Sequence, residues 1–309
     1  DLLIDFVPTV AGLELAEVMT FQKAPGGAAA NVAVGLARLG VKSAFIGKVG
    51  DDAFGRYLAA TLAENGVDTS PLRFDARART ALAFVTLKPD GERDFLFYRH
   101  PSADMLFVPS EVDLEAIARA RVFHFDSISL AAAQPRETAL FAAEQAVARG
   151  KLISYDVNLR LPLWASAADA KSGVLEGLRR AQVAKLSVDE LEFLTGTRAP
   201  GAIRDRLWHD RLLLVALTGG AQGCVAFTRK AEHVVPSVEV VAIDTTGAGD
   251  GFVAGLLAAI VGDPSVIEDD EALVEHCRFA NVVGALTTTA RGAIPALPSR
   301  DRVEALLRS

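Results

Sequence analysis

Residues 243–250 read Ile-Asp-Thr-Thr-Gly-Ala-Gly-Asp, and this stretch decides the fold class. The run of valines and isoleucine that leads into it, residues 238–243, predicts a β-strand. The apolar run that follows, residues 252–260, predicts a buried helix. A strand that passes through a glycine-rich turn into a buried helix is typical of α/β proteins.

The small residues Gly247, Ala248 and Gly249 leave the backbone N–H groups at the start of the predicted helix unobstructed. These unpaired donors and the positive end of the helix dipole form an anion site. Asp250 lies in the first turn beside that site. The arrangement suits phosphoryl transfer to a hydroxyl, because the N–H groups stabilise the transferred group and the carboxylate accepts the hydroxyl proton. The alternative is structural, since aspartate in a first helical turn is also a common capping residue.

Composition narrows the functional classes. The 309 residues carry a net charge of −7, which disfavours a nucleic-acid-binding surface. No apolar stretch reaches the length of a membrane span, and no signal peptide is visible at the start. Cys224 and Cys277 lie in apolar contexts, as expected of buried reduced thiols, so we expect a cytoplasmic protein without membrane or nucleic-acid partners.

Apolar strand-like runs alternate with helical patterns along most of the chain. Strands are predicted at 42–49, 121–126, 152–157, 183–187, 212–218 and 224–229, and helices at 28–39, 52–65, 135–149, 167–180, 249–261, 271–289 and 300–308. This alternation predicts a mainly parallel sheet covered by helices on both faces. Residues 79–100 differ, because they alternate around Pro89-Asp90-Gly91-Glu92 and so predict a β-hairpin.

Two further groups of polar residues predict ligand contacts. Gly26 and Gly27 precede a predicted helix and let a ligand approach the backbone, while Asn31, one turn later, offers donors and an acceptor to a sugar hydroxyl. The alternative is a small-residue helix packed tightly on the sheet. Asp5 interrupts an apolar strand. Asp156, Asn158 and Arg160 follow another strand, at the end where ligands bind in open α/β sheets.

Together, the glycine turn before Asp250 and the Gly-Gly-Ala-Ala-Ala-Asn segment at residues 26–31 resemble the ribokinase-like (PfkB-type) carbohydrate kinases. The resemblance implies a three-layer αβα domain with a small β-sheet lid. It assigns residues 1–6, 25–78 and 105–309 to the core, and residues 7–24 and 79–104 to the lid. It further implies that Asp250 is the catalytic base and that Gly247, Ala248 and Gly249 form the anion hole.

The resemblance also implies the ligand contacts. Sugar contacts are expected from Asp5, Gly27, Asn31, Arg99, Asn158, Arg160 and Asp250. Nucleotide contacts are expected from Lys185, Thr218, Gly220, Gly223, Gly249 and Asn281. The implied cofactors are ATP and Mg²⁺, with Glu190 near the metal through water, and a monovalent cation such as K⁺ near Asp244 and Thr246.

Within this family the substrate is the harder question. Residues 97–106 and 156–164 resemble fructokinases, which implies transfer from ATP to fructose, at O6 rather than O1. A Tyr98-Arg99 pair also occurs in 2-keto-3-deoxygluconate kinases, so that reaction, or another ketose or nucleoside kinase, stays open. A non-catalytic sugar sensor is the alternative from a different class. The resemblance also implies a homodimer.

Overall fold

The computed structural model describes residues 1–10, 12–87, 93–99 and 101–308. The strands are β1 (Leu3–Pro8), β2 (Phe21–Gly26), β3 (Gly47–Gly50), β4 (Leu72–Asp75), β5 (Leu82–Leu87), β6 (Arg93–Tyr98), β7 (Val122–Asp126), β8 (Leu152–Asp156), β9 (Val183–Ser187), β10 (Leu214–Thr218), β11 (Cys224–Thr228) and β12 (Glu232–Val235). The helices are α1 (Ala28–Arg38), α2 (Ala53–Glu64), α3 (Leu114–Arg119), α4 (Ala133–Ala148), α5 (Ala167–Leu178), α6 (Val188–Thr195), α7 (Ala248–Gly262), α8 (Asp270–Thr287), α9 (Ala293–Ala296) and α10 (Arg300–Arg308).

The largest sheet has six strands in the order β12-β11-β10-β9-β8-β7. The pairings from β7 to β10 are parallel, and β11 and β12 add antiparallel strands at one edge. The prediction of an α/β fold with a mainly parallel sheet is therefore confirmed for this sheet. Its parallel strands all end at one edge, so the polar residues that follow them are brought together there.

Successive side chains of the central strands pack into two different hydrophobic cores. On β10, Val215 and Leu217 join a core formed with α4, α5 and α6. The alternating Leu214 and Ala216 join a second core formed with α7, α8 and part of α1. Because side chains of a strand alternate between its faces, these two cores lie on opposite sides of the sheet. The predicted three-layer αβα arrangement is thus observed.

A separate four-stranded sheet has the order β2-β1-β5-β6. Its β5 and β6 are antiparallel, as predicted for the two arms of the hairpin, while the predicted turn at 89–92 lies outside the described residues. Aromatic rings stabilise one face of this sheet, where Phe6 stacks on Phe84 at 5.0 Å between ring centroids. Strands β1 and β2 run across the boundaries predicted at residues 6 and 25, and the division into core and lid remains a prediction.

The strand predicted at residues 238–243 is wrong. Strand β12 ends at Val235, just before Pro236, and the next regular element is α7. Val241 and Ile243 are 84% and 61% exposed. The backbone N–H groups of Ile243 and Asp244 both donate to the carbonyl of Thr288, after α8, instead of to a neighbouring strand. The valine-rich pattern predicted a strand because β-propensity does not reveal whether a pairing partner is available.

The other differences are smaller. The strand predicted at 42–49 is found as β3, Gly47–Gly50, and the short elements β2, β4, β12, α3, α6 and α9 were not among the predicted strands and helices. Both cysteines are buried free thiols, as expected. No helix in the described ranges is long and apolar enough to cross a membrane.

Close packing of α5 on β8 supports the strand that carries part of the candidate site. Any side chain at Gly177 would place its Cβ 2.5 Å from the Tyr155 ring, which is itself fully buried. We therefore expect Gly177→Ala to lower the free energy of unfolding by about 1–3 kcal/mol through overpacking. Gly262→Ala is the matched control, since a Cβ there meets nothing within 4 Å. Denaturant unfolding checks this, and equal midpoints for both variants would contradict the packing argument.

Candidate active site

The start of α7 is shaped for close approach of a ligand to its backbone. Gly247 caps the helix with φ of 79°, a left-handed conformation that favours glycine. A Cβ on Gly247 would also lie 2.6 Å from Cβ of Ala293. A Cβ on Gly249 would lie 3.0 Å from Nζ of Lys185, so this ammonium group lies directly against the turn. The anion site predicted at Gly247–Gly249 therefore lacks side chains at its two glycines and has a nearby cation, while the N–H of Ala248 donates to the carbonyl of Thr245 at 3.2 Å.

Asp250 lies in the first turn of α7 and is buried, with 8% of its surface exposed. Asn31 of α1 donates a hydrogen bond of 2.7 Å from Nδ2 to Oδ2 of Asp250. Burial raises the pKa of the Asp250 carboxyl, and this is opposed in part by Asn31 and by the positive charges of Lys185 and Arg160. A carboxylate with a raised pKa is a better proton acceptor, which suits a general base.

A cavity of about 1550 Å³ opens beside this turn. It exceeds the roughly 300–1,000 Å³ that holds a single drug-sized ligand. Most of the residues predicted to bind ligands line it together: Asp5, Gly27, Asn31, Asn158, Arg160, Lys185, Glu190, Thr218, Gly220, Asp244, Thr246, Gly247, Gly249 and Asp250. Phe95 and Phe97 of β6 also line it, so the four-stranded sheet reaches the cavity.

Asp5 and the Gly26-Gly27 pair meet at one wall of the cavity. A Cβ on Gly26 would lie 2.2 Å from Oδ2 of Asp5, so glycine leaves the space that this carboxylate occupies. Gly27 has φ of 112°, and a Cβ there would clash with the backbone of Asp1 and Leu2. Gly26 thus makes room for the Asp5 carboxylate and Gly27 for the backbone of Asp1 and Leu2, in addition to any role in ligand approach.

Asn158 follows β8 and is the one non-glycine residue with positive φ, 34°, in the described part of the chain. Its side chain is buried, and its amide Nδ2 has no hydrogen-bond partner in the protein. Buried polar atoms of this kind usually have a partner, so an unpaired amide on a cavity wall is available to a ligand acceptor. Asparagine is among the residues that best tolerate this backbone conformation.

Glu190 organises the backbone at the end of the sheet. Its Oε2 accepts from the N–H of Ser187 at 2.7 Å, and Ser187 Oγ accepts in return from the N–H of Glu190, which forms a capping box for α6. Its Oε1 accepts from the N–H of Leu159 at 2.8 Å. Glu190 therefore ties the loop after β8 to the start of α6.

Asp244 performs a similar task before α7. Its Oδ1 accepts from the N–H of Thr246 and its Oδ2 from the N–H of Gly292, both at 2.8 Å. It is 5% exposed. These bonds connect the loop that leads to Gly247 with the loop that follows α8, so they fix the position of the turn.

Four of the predicted residues do not line the large cavity. Arg99 is buried, forms an ion pair with Asp104 and lines a second cavity of about 460 Å³. Asn281 donates from Nδ2 to the carbonyls of Val235 and Pro236. Gly223 occupies the turn before β11, where a Cβ would lie 2.2 Å from the carbonyl oxygen of Val235. Ala248 is within the anion turn but does not contribute to the lining.

A buried ion pair at this site was not predicted from the sequence. Nζ of Lys185 lies 3.1 Å from Oδ1 of Asp156, and both side chains are more than 90% buried. Asp126, the last residue of β7, pairs with Asp156 in the sheet register, and its Oδ2 has no partner in the protein. The sequence feature that could have indicated this buried charge is that two neighbouring strands, β7 and β8, each end in an aspartate. Of the described residues, no group of three or more His, Cys, Asp or Glu is arranged to hold a metal by itself.

Comparison with known proteins gives one consistent result. A model of the pfkB family of carbohydrate kinases matches residues 1–300. The chain is 53% identical to "Probable fructokinase-7" of Arabidopsis thaliana, over 100% of this chain and 91% of that protein. It superposes with a TM-score of 0.91 on the crystal structure of a fructokinase with bound ATP from Xylella fastidiosa, at 36% identity over 100% of this chain and 96% of that one.

A further solved structure has a TM-score of 0.89 at 36% identity, and it covers 99% of this chain and 96% of the other. It is a double mutant of a fructokinase from Vibrio cholerae O395 in its fructose-, ADP- and potassium-bound form.

The hydrogen bond from Asn31 gives a testable pH effect. This bond lowers the pKa of Asp250, so its removal in Asn31→Leu should raise that pKa further and shift the deprotonation of Asp250 to higher pH. A carbon-13 NMR titration of the aspartate carboxyl groups, assigned with an Asp250→Asn sample, measures the shift. Asn65→Leu is the control, because Asn65 bonds to Thr61 and Arg38 instead. An unchanged or lowered pKa of Asp250 in Asn31→Leu would refute the assigned interaction.

Proposed function

The chain belongs to the pfkB family of carbohydrate kinases, and from that membership we propose that it transfers the γ-phosphoryl group of ATP to O6 of fructose. The observation that carries the proposal is the position of Asp250, which lies beside the open glycine turn on the wall of a cavity larger than one ligand needs. The similarity to fructokinases over the whole chain supports fructose as the acceptor.

In the proposed reaction, the O6 oxygen of fructose forms a bond to the γ-phosphorus as the bond between that phosphorus and the β,γ-bridging oxygen breaks. ADP leaves with the electrons of the broken bond, and Asp250 accepts the O6 proton. The backbone N–H groups of Gly247 and Gly249 stabilise the negative charge of the group in transfer, and that of Ala248 joins them when it releases the carbonyl of Thr245. The raised pKa of Asp250 supports its role as the proton acceptor.

We propose that fructose binds between α1 and the loop after β8. Asp5, Asn31, Asn158 and Arg160 all line the cavity. Carboxylate and amide groups pair well with sugar hydroxyls, and the unpaired Nδ2 of Asn158 supplies a donor. Gly27 would contribute backbone that the sugar can approach closely. Arg99 would reach the sugar only if its ion pair with Asp104 rearranges.

We propose that the nucleotide occupies the part of the cavity lined by Thr218 and Gly220, with its phosphates toward Lys185 and Gly249. Gly223 and Asn281 then support the wall of this part through the turn before β11 and the end of β12. Such an arrangement places the phosphates at the positive end of the α7 dipole.

Mg²⁺ would be held by the phosphates and by water, with Glu190 in contact through water. Each oxygen of Glu190 accepts one backbone N–H bond and keeps a lone pair, so the residue is compatible with this role. When bound, the ion neutralises phosphate charge. A monovalent cation is proposed beside Asp244 and Thr246. A similar protein, the fructokinase from Vibrio cholerae O395, has been solved in a potassium-bound form.

We further propose that residues 7–24 and 79–104 act as a lid and that the protein is a cytoplasmic homodimer. Phe95 and Phe97 of β6 line the cavity, as a lid requires. Leu96 and Tyr98 of the same strand are 48% and 59% exposed. Strand β6 is an edge of its sheet, and an exposed apolar edge favours pairing with a second copy. Sedimentation measures the oligomeric state.

Asp250→Asn tests the proposed base. Loss of a general base should reduce kcat by about 10²- to 10⁴-fold while ATP binding is nearly unchanged. Asp189→Asn is the control, because Asp189 also lines the cavity but is exposed and pairs with Arg198. Turnover is measured with purified proteins of equal thermal stability. Near-normal turnover of Asp250→Asn would remove the residue from this role.

A substrate panel tests the choice of sugar. The wild type should prefer fructose to 2-keto-3-deoxygluconate by at least about 100-fold in kcat/KM, because Asp5, Asn31 and Asp250 on the cavity lining suit hydroxyl groups better than a carboxylate. Arg160 and Arg198 both line the cavity, but Arg198 already pairs with Asp189 and Glu192. Arg160→Ala should therefore affect the acid more than fructose if the acid were the substrate. A preference for the acid would overturn the fructose assignment. Sugar binding without ADP formation would indicate a sensor.

A further inference from the structure

We propose that Asp156 is a positioning residue that holds the ammonium group of Lys185 against the Gly247–Gly249 turn, where Lys185 contacts the phosphoryl group in transfer. The inference rests on the proposed kinase function. Lys185 would bind the phosphoryl group in transfer, and Asp156 would orient Lys185. Lys185 is the group that touches the phosphoryl oxygens. Asp156 acts only through Lys185.

The sheet register brings the two residues together. Asp156 is the last residue of β8, and it lies directly opposite Lys185 of β9 in the parallel pairing. Neighbouring side chains on one face of a sheet interact across the strands. Nζ of Lys185 is 3.1 Å from Oδ1 and 3.4 Å from Oδ2 of Asp156. The pair is therefore set by two strands in the middle of the largest sheet and not by a loop.

The other side of the ammonium group faces the anion turn. Glycine at residue 249 leaves this space open, since a Cβ there would lie 3.0 Å from Nζ of Lys185 and would displace the ammonium. Lys185 also lines the large cavity, whereas Asp156 does not. A ligand in the cavity can therefore contact the ammonium but not the carboxylate behind it.

The surrounding carboxylates explain why the lysine needs a fixed partner. Asp126 of β7, Glu190 of α6 and Asp250 of α7 also surround this group of residues. Glu190 uses both oxygens for backbone N–H groups, and Oδ1 of Asp126 caps the turn after β7. Asp250 is bound by Asn31 but remains the proton acceptor.

Without Asp156, the ammonium would be drawn toward Asp250 and would lower the basicity of that residue. Burial lowers the pKa of Lys185, but the negative charges of Asp156, Glu190 and Asp250 outweigh this, so its pKa is raised and the ammonium stays charged. A charged, buried and preoriented donor stabilises a developing negative charge without reorganisation.

The test combines Asp156→Asn, Lys185→Met and the double variant. Binding of ATP and of ADP is measured by calorimetry without sugar, and kcat is measured with fructose. Each single variant should weaken the binding of ATP by about 10-fold but the binding of ADP by less than about threefold, because ADP lacks the γ-phosphoryl group. Each should lower kcat by about 10- to 100-fold, as expected when an electrostatic donor is misplaced. In the Lys185→Met background, Asp156→Asn should have no further effect on either quantity.

Asp75→Asn is the matched control for loss of a buried carboxylate. Asp75 forms an ion pair of 2.7 Å with Lys48, both 2% exposed, and neither residue lines the large cavity. Asp75→Asn should lower thermal stability but leave ATP affinity and kcat unchanged. The double variant Asp156→Asn/Lys185→Met removes both charges together. It therefore shows whether the pair discriminates ATP from ADP even if a single variant unfolds.

The possible outcomes separate the inference from the proposed function. An equal loss of ATP and ADP affinity, or an Asp156→Asn effect that persists in the Lys185→Met background, would overturn the inference and leave the kinase function intact. If wild-type protein does not phosphorylate fructose, the proposed function fails. The ATP-versus-ADP comparison would still decide what the Asp156–Lys185 pair contacts, because it requires no sugar.

Discussion

The close approach of α1 and α7 is the constraint on which the site depends. A Cβ at Gly35 of α1 would lie 2.6 Å from Cβ of Ala254 of α7, so the two helices touch at a glycine. This contact brings Asn31 within 2.7 Å of Asp250, although 219 positions separate them in the chain. A larger residue at position 35 would push the helices apart and weaken that hydrogen bond. Packing between helices, more than local sequence, sets the geometry of the proposed base.

The same region concentrates buried charge. Asp126, Asp156, Lys185 and Asp250 are all buried, and burial raises the pKa of both Asp156 and Asp250. Unpaired buried charges are costly, and even paired ones contribute little net stability. The fold tolerates them because two large hydrophobic cores cover both faces of the sheet that carries them. A site that is costly in the free protein but matched to an anionic ligand is expected of an active site rather than of a structural core.

Much of the fold could be predicted from sequence, because the periodicity of apolar residues is a local signal. Helices α1, α2, α4, α5, α7, α8 and α10 lie where the pattern placed them. The strand at 238–243 failed because a valine-rich pattern does not reveal whether a partner strand exists. The site followed from the family resemblance around residues 26–31 and 243–250. The positions of Arg99 and Asn281 off the large cavity depend on Asp104 and on the carbonyls of Val235 and Pro236, which no spacing in the sequence indicates.

The parallel register explains why the polar residues of the site converge. Asp126, Asp156, Ser187 and Thr218 are the last residues of four neighbouring strands, so all four lie at one edge of the sheet. Strand β8 ends two positions before β9 in their shared register, and Asp156 therefore faces Lys185 instead of Ser187. That offset leaves Ser187 free to cap α6 and leaves the lysine paired in the interior. A shift of one residue would turn Lys185 toward the opposite core and separate the cation from the anion turn. The chemistry proposed here thus depends on strand register as much as on the identity of the residues.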